Sequence, residues 1–109
     1  MPLDPSLLLF VPADRPDRFT KALGSGATGA ILDLEDAVAP DRKSYARDQV
    51  RAFLDAHDEL ERVAVRVNPG DTRDGRADLA MLAGARRIGA VVIPKVHDVA
   101  GCARVSDEL

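Results

Sequence analysis

Short, mainly apolar runs alternate along this chain with longer stretches whose apolar residues recur every three or four positions. The runs cover residues 7–11, a stretch from Ala30 that turns acidic where it ends, 63–68 and 90–94, and each reads as a parallel strand. Pro12, Pro69-Gly70 and Pro94 close three of them. The intervening stretches read as helices. Phe19, Ala22 and Leu23 form one apolar face, with Asp14 as its cap, Pro16 in its first turn and Gly24-Ser25-Gly26 at its end. Ala46, Val50, Phe53, Leu54 and His57 form a second, opened by Pro40-Asp41. A turn-rich loop over 71–75 precedes a third, with Leu79, Leu82 and Ala83 as its face. Asp98 is expected to cap a last helix carrying Val99, Cys102 and Leu109.

This is a β–α unit repeated four times, which implies parallel strands joined by right-handed crossovers. Strand residues alternate between faces, so parity adds information. Val63, Val65 and Val67 oppose Ala64, Arg66 and Asn68. Leu32 and Leu34 oppose Ile31, Asp33 and Glu35. Val92 is set against Val91, Ile93 and Lys95. Each strand then has one apolar face for helices and a second that turns charged toward its carboxyl end. A TIM-type (β/α) barrel explains that asymmetry better than an open sheet with helices on both faces. Antiparallel pairing, or helices on both faces, would speak against it. The expected fold is α/β, with residues 1–109 as the N-terminal half of such a barrel domain, because a whole barrel needs roughly 250 residues.

Composition narrows the function. The chain has 109 residues, a net charge of -3 and 4% aromatics without Trp. The core must be aliphatic. A nucleic-acid partner would favour a basic stripe and stacking rings, and neither is present. No apolar run approaches the roughly 20 residues of a membrane span. Met1-Pro2-Leu3-Asp4-Pro5 lacks the basic start of a signal peptide, and Cys102 is the only cysteine. A cytoplasmic location is the expectation.

The candidate chemistry sits at the strand ends. Asp33, Glu35 and Asp36 put three carboxylates within four residues where the second strand stops. Asp33 lies deeper and can pair with Arg66; Glu35 and Asp36 lie at the rim, where a site would form or where a solvated loop would simply carry acids. Arg66 interrupts valines, and its forked guanidinium suits a carboxylate on the protein or on a substrate. Lys95 either binds an anion or is exposed. Arg15 and Arg18 beside a helix start could hold a phosphate or carboxylate, or be surface charges. Residues 24–29 match G-x-G-x-x-G, but a helix precedes and a strand follows, the reverse of a dinucleotide site. His57 and His97 lack metal-ligand spacing, and His57 reads as packing.

Residues 10–19, Leu32-Asp33-Leu34-Glu35-Asp36-Ala37-Val38, Arg66-Val67-Asn68 and Ile93-Pro94-Lys95 together resemble the citrate lyase β-chain family, of the HpcH/HpaI aldolase type. The resemblance implies a carbon–carbon lyase acting on citryl, citramalyl or malyl thioesters, with magnesium as Lewis acid and a CoA thioester as substrate. It implies that Arg66 grips the oxo-acid carboxylate. Glu35 and Asp36 would order metal-bound water or substrate, Arg15 and Arg18 would lie toward the CoA, and Lys95 at the rim. The family's metal ligands come from later strands, so no metal ligand is assigned in this chain. Two other readings are kept open: a non-catalytic half-barrel module that needs a partner chain, and a metal-dependent oxo-acid aldolase without CoA. A bare interior face should also drive self-association into a homo-oligomer.

Overall fold

The computed structural model describes residues 8–57, 60–84 and 88–93, together with the backbone of 104–106. Strands β1 (Leu8–Pro12), β2 (Gly29–Asp33), β3 (Val63–Arg66) and β4 (Ala90–Ile93) pair side by side in chain order, all parallel. Helix α1 (Phe19–Leu23) joins the first two, α2 (Lys43–Ala56) the next and α3 (Arg73–Ala83) the last.

All three helices cover the same face. Phe19 and Ala22 of α1, Ala46, Val50 and Leu54 of α2 and Leu82 of α3 pack with Val11, Leu32, Val63, Val65 and Val91 in one core. Burial of the Phe, Leu and Val side chains among these contributes about 1.5–3 kcal/mol each. Phe53 adds an edge-on contact to Phe19, with ring centroids 5.3 Å apart. One-sided covering of a parallel sheet is the barrel plan.

Several expectations need correction. Residues 104–106 form a strand, β5 (Arg104–Ser106), antiparallel to β4, where the end of a fourth helix was expected. It pairs with β4 through Val91, Val92 and Ile93. This is the one antiparallel pairing among the described residues and departs from the barrel plan. Asp98, Val99, Cys102 and Leu109 lie outside the described residues, as does His97.

The faces of β4 are inverted relative to the parity reading. Register places Val65 beside Val91 and Arg66 beside Val92. Val91 therefore joins the helix-side core, and Val92 the opposite face with Ile31, Ala64 and Ala90. That second face is not bare: these four residues are buried and cluster together, with Leu8 packed against them. Its exposed large hydrophobic is Phe10, at 56%.

Asp14 caps no helix. A 3-10 turn, Pro16–Arg18, precedes α1, and the Asp14 carboxylate pairs instead with Arg42 at 3.3 Å. Helix α3 begins inside the expected loop. Thr72 caps it, its hydroxyl accepting from the Gly75 amide at 3.0 Å. The buried face of α3 is Gly75, Asp78 and Leu82, while Leu79 is exposed. A Cβ on Gly75 would meet the Pro69 carbonyl oxygen at 1.8 Å, so only glycine lets α3 approach the end of β3 this closely. His57 ends α2 rather than joining its apolar face; exposed, it stacks on Phe53 at 4.1 Å. Gly29 of the rejected glycine motif opens β2.

Candidate active site

Asp33 and Arg66 are direct partners in the β2–β3 register. Arg66 Nε donates to Asp33 Oδ1 at 2.9 Å and Nη2 to Oδ2 at 2.6 Å. The fork is a charge-assisted bidentate pair with Asp33 almost wholly buried. Asp33 accepts two further bonds, from the backbone amides of Glu35 at 2.9 Å and Ala37 at 3.2 Å. One carboxylate thus ties β2 to β3 and folds the loop that follows β2 back over itself.

The rim carboxylates sit around the same guanidinium. Glu35 Oε1 is 3.6 Å from Arg66 Nε, and Asp36 Oδ2 is 3.9 Å from Nη2. The Phe10 ring lies 5.0 Å from the guanidinium carbon, a cation–π contact. Arg66 Nη1 donates to no described residue, and the side chain keeps 23% of its exposure. The expected meeting of Asp33, Glu35, Asp36 and Arg66 is therefore present in the structure.

Electrostatics separate the carboxylates. Burial pushes the Asp33 carboxyl up, but the Arg66 fork and the two backbone amides outweigh it and hold the group below its ordinary value. Glu35 is raised, first by burial and then by the charge of Asp36, with Arg66 opposing. The Asp33 hydrogen bonds raise Arg66 above its ordinary value.

The other expected residues are less engaged. Arg15 and Arg18 follow β1, at the same end of the sheet, and both are exposed. Arg15 lies 4.0 Å from Asp17. No contact joins either to Arg66 or Glu35 among the described residues. Lys95 lies outside the described residues. Asn68 was expected to project with Arg66, yet it is buried and turned to α3: its amide bonds Asp78 Oδ2 at 2.7 Å and the Leu34 carbonyl at 2.9 Å.

Four contributors escaped the sequence reading. Lys43, the first residue of α2, donates to the carbonyls of Leu34 at 2.9 Å and Glu35 at 2.8 Å. A lysine at a helix start opposes the helix dipole, and that misfit was the available signal. Asp78 is wholly buried and pairs with Arg47 at 3.1 Å; its signal was an acid one turn before core residue Leu82. Burial lowers the Arg47 pKa, but bonds to Asp78 and Asp74 outweigh that and raise it. Phe10 carried no signal beyond its place in an apolar run.

The sequence and fold have known counterparts. The family model for HpcH/HpaI aldolase/citrate lyase matches residues 6–108. A (3S)-malyl-CoA thioesterase of Cereibacter sphaeroides is 41% identical over 101 residues, 92% of this chain and 35% of that protein. The citrate lyase beta subunit of Mycobacterium tuberculosis, solved with oxaloacetate and magnesium, aligns with a TM-score of 0.72 at 45% identity, over 86% of this chain and 40% of that one. A CitE structure from the same organism, with magnesium, acetoacetate and coenzyme A, gives 0.72 at 45% identity, over 86% and 33%. The chain spans about a third of the length of the curated relatives it matches. The parallel strands and one-sided helices agree with these matches: the chain belongs to the HpcH/HpaI aldolase/citrate lyase family, and its fold is the α/β barrel type of that family.

Proposed function

We propose that residues 1–109 form the N-terminal half of a (β/α)-barrel lyase domain, and that the domain makes or breaks a carbon–carbon bond beside an acyl-CoA thioester, with a 2-oxo acid as product. The observation that carries this is the Arg66 mouth. Its guanidinium is fixed by Asp33 on one side and keeps Nη1 for a ligand, in the geometry that suits a carboxylate. Glu35 and Asp36 then order water or substrate at the same mouth. Arg15 and Arg18 reach the CoA portion, and Lys95 stands at the rim.

Charge balance supports a divalent cation in the reaction. Asp33 cancels Arg66, and Glu35 with Asp36, set against the Lys43 ammonium at the same loop, leaves one negative charge in excess. An oxo-acid anion would add to it, and a cation would offset both. The described residues do not make a metal site on their own: no group of three His, Cys, Asp or Glu is placed to hold an ion, and both rim acids face Arg66. Magnesium ligands therefore belong to other strands of the barrel. When bound, the metal supplies Lewis-acid stabilisation of the charge that develops as the carbon–carbon bond breaks. A cytoplasmic homo-oligomer completes the proposal; no helix among the described residues is long and apolar enough to cross a membrane.

The test is cleavage of malyl-, citramalyl- and citryl-thioesters by the complete polypeptide with magnesium. A lyase releases a 2-oxo acid and keeps the thioester intact. Free thiol without oxo acid would mean hydrolysis. Equal cleavage of the free acids would mean an aldolase that does not need CoA. No turnover with any of them would favour the binding-module reading.

A further inference from the structure

We propose that Asp78 is a positioning residue for the active-site mouth: through Asn68 it fixes the Leu34 carbonyl, and with it the direction in which residues 35–37 leave β2. The role rests on the Arg66 mouth being the working site.

The connection is continuous and buried. Asp78 Oδ2 accepts from the Asn68 backbone amide at 2.8 Å and from Asn68 Nδ2 at 2.7 Å. The same Nδ2 donates its second hydrogen to the Leu34 carbonyl at 2.9 Å. Both partners of Nδ2 are acceptors, so only one orientation of the amide satisfies them. Asp78 therefore decides which way Asn68 points. Leu34 lies between Asp33 and Glu35, and its own amide donates to the Arg66 carbonyl at 2.9 Å. Fixing its carbonyl fixes the peptide plane that aims the Glu35 amide at Asp33 and the Glu35 side chain at Arg66. Lys43 bonds the same carbonyl from the other helix. Two helices thus hold one peptide.

A plainer role is open to Asp78, that of docking α3 on α2 through Arg47. The two roles differ in what they move. D78N keeps one oxygen for Asn68 but removes one of the two carboxylate partners of Arg47, leaving Asp74. D78A removes both the Asn68 acceptor and that Arg47 partner.

The experiment is NMR on the complete polypeptide with selective labelling, reading the Glu35 carboxyl titration and the amide exchange of Glu35 and Ala37. In D78A the Glu35 titration should move back toward the ordinary glutamate range, and the two amides should exchange at least about tenfold faster. D78N should lower thermal stability yet leave both readings as in the parent. Should D78A not fold, N68A cuts the same connection and leaves the Asp78–Arg47 pair in place, with the same movement expected. Unchanged Glu35 titration and exchange in the folded D78A or N68A overturns the proposal, as does D78N behaving like D78A. None of these readings depends on turnover, so failure of the lyase reading and failure of this role are separately visible.

Discussion

Arg66 and Asp33 stand at the same register on adjacent strands, and the guanidinium closes on the carboxylate through two bonds of 2.9 and 2.6 Å. The pair is structural on one side and open on the other. Replacing Asp33 with Ala leaves a half-buried arginine and two backbone amides without their acceptor. The expected loss is on the order of 3 kcal/mol in urea unfolding. In a double-mutant cycle with R66A, the two losses should be strongly non-additive.

Lysine cannot replace the fork. R66K keeps the charge but loses bidentate geometry toward Asp33 and the nitrogen left for a ligand. Pyruvate or oxaloacetate binding to the complete polypeptide, followed by calorimetry with magnesium present, should weaken by about tenfold or more. Equal affinity would remove Arg66 from substrate binding.

Gly75 tests the packing at the end of β3. Alanine is favoured over glycine in a helix by about 1 kcal/mol, so G75A would stabilise an unobstructed helix. Here its methyl would sit 1.8 Å from the Pro69 oxygen and 2.7 Å from the Asn68 oxygen. The expected outcome has the opposite sign, a loss of about 2–4 kcal/mol by chemical denaturation.

The two carboxyls give opposite pH slopes. Asp33 is lowered, so its contribution is complete above its unfolded value of 3.8 and is lost as pH falls through the lower folded value. Glu35 is raised, so the folded state binds the extra proton; stability falls as pH rises from 4.5 through the folded value. E35Q should therefore raise the melting temperature at pH 7 and flatten the profile above pH 4.5. D33N should remove the acid-side loss below 3.8. Thermal melts across pH 2–8, a range chosen to span the ordinary carboxylate values, check both slopes.

Arg15 and Arg18 separate the CoA part of the substrate from the acid part. In the complete polypeptide, R15A/R18A should raise KM for a thioester several-fold and leave binding of the free oxo acid unchanged. Unchanged thioester kinetics would take both residues out of the site.

Parity made the Asp33–Arg66 meeting legible, because charged residues interrupt β2 and β3 and mark their faces. It failed at β4, where Val91, Val92 and Ile93 are all apolar and only register assigns the sides. The helix over 73–83 was legible as an element, but its face was misjudged: a buried acid with a satisfied network looks polar in a one-dimensional pattern. Asp14 looked like a cap, and its partner Arg42 lies 28 positions away, beyond what local spacing reveals. The strand at 104–106 was missed because that stretch was read by helical spacing, while its pairing with β4 is a property of the sheet rather than of the segment.

That strand changes how the sheet could grow. β5 already occupies the outer hydrogen-bonding edge of β4 through Val91, Val92 and Ile93. A fifth parallel strand cannot simply add there; it must first displace the resident. The three-residue ladder of β5 and a further parallel strand are therefore mutually exclusive partners of the same β4 edge.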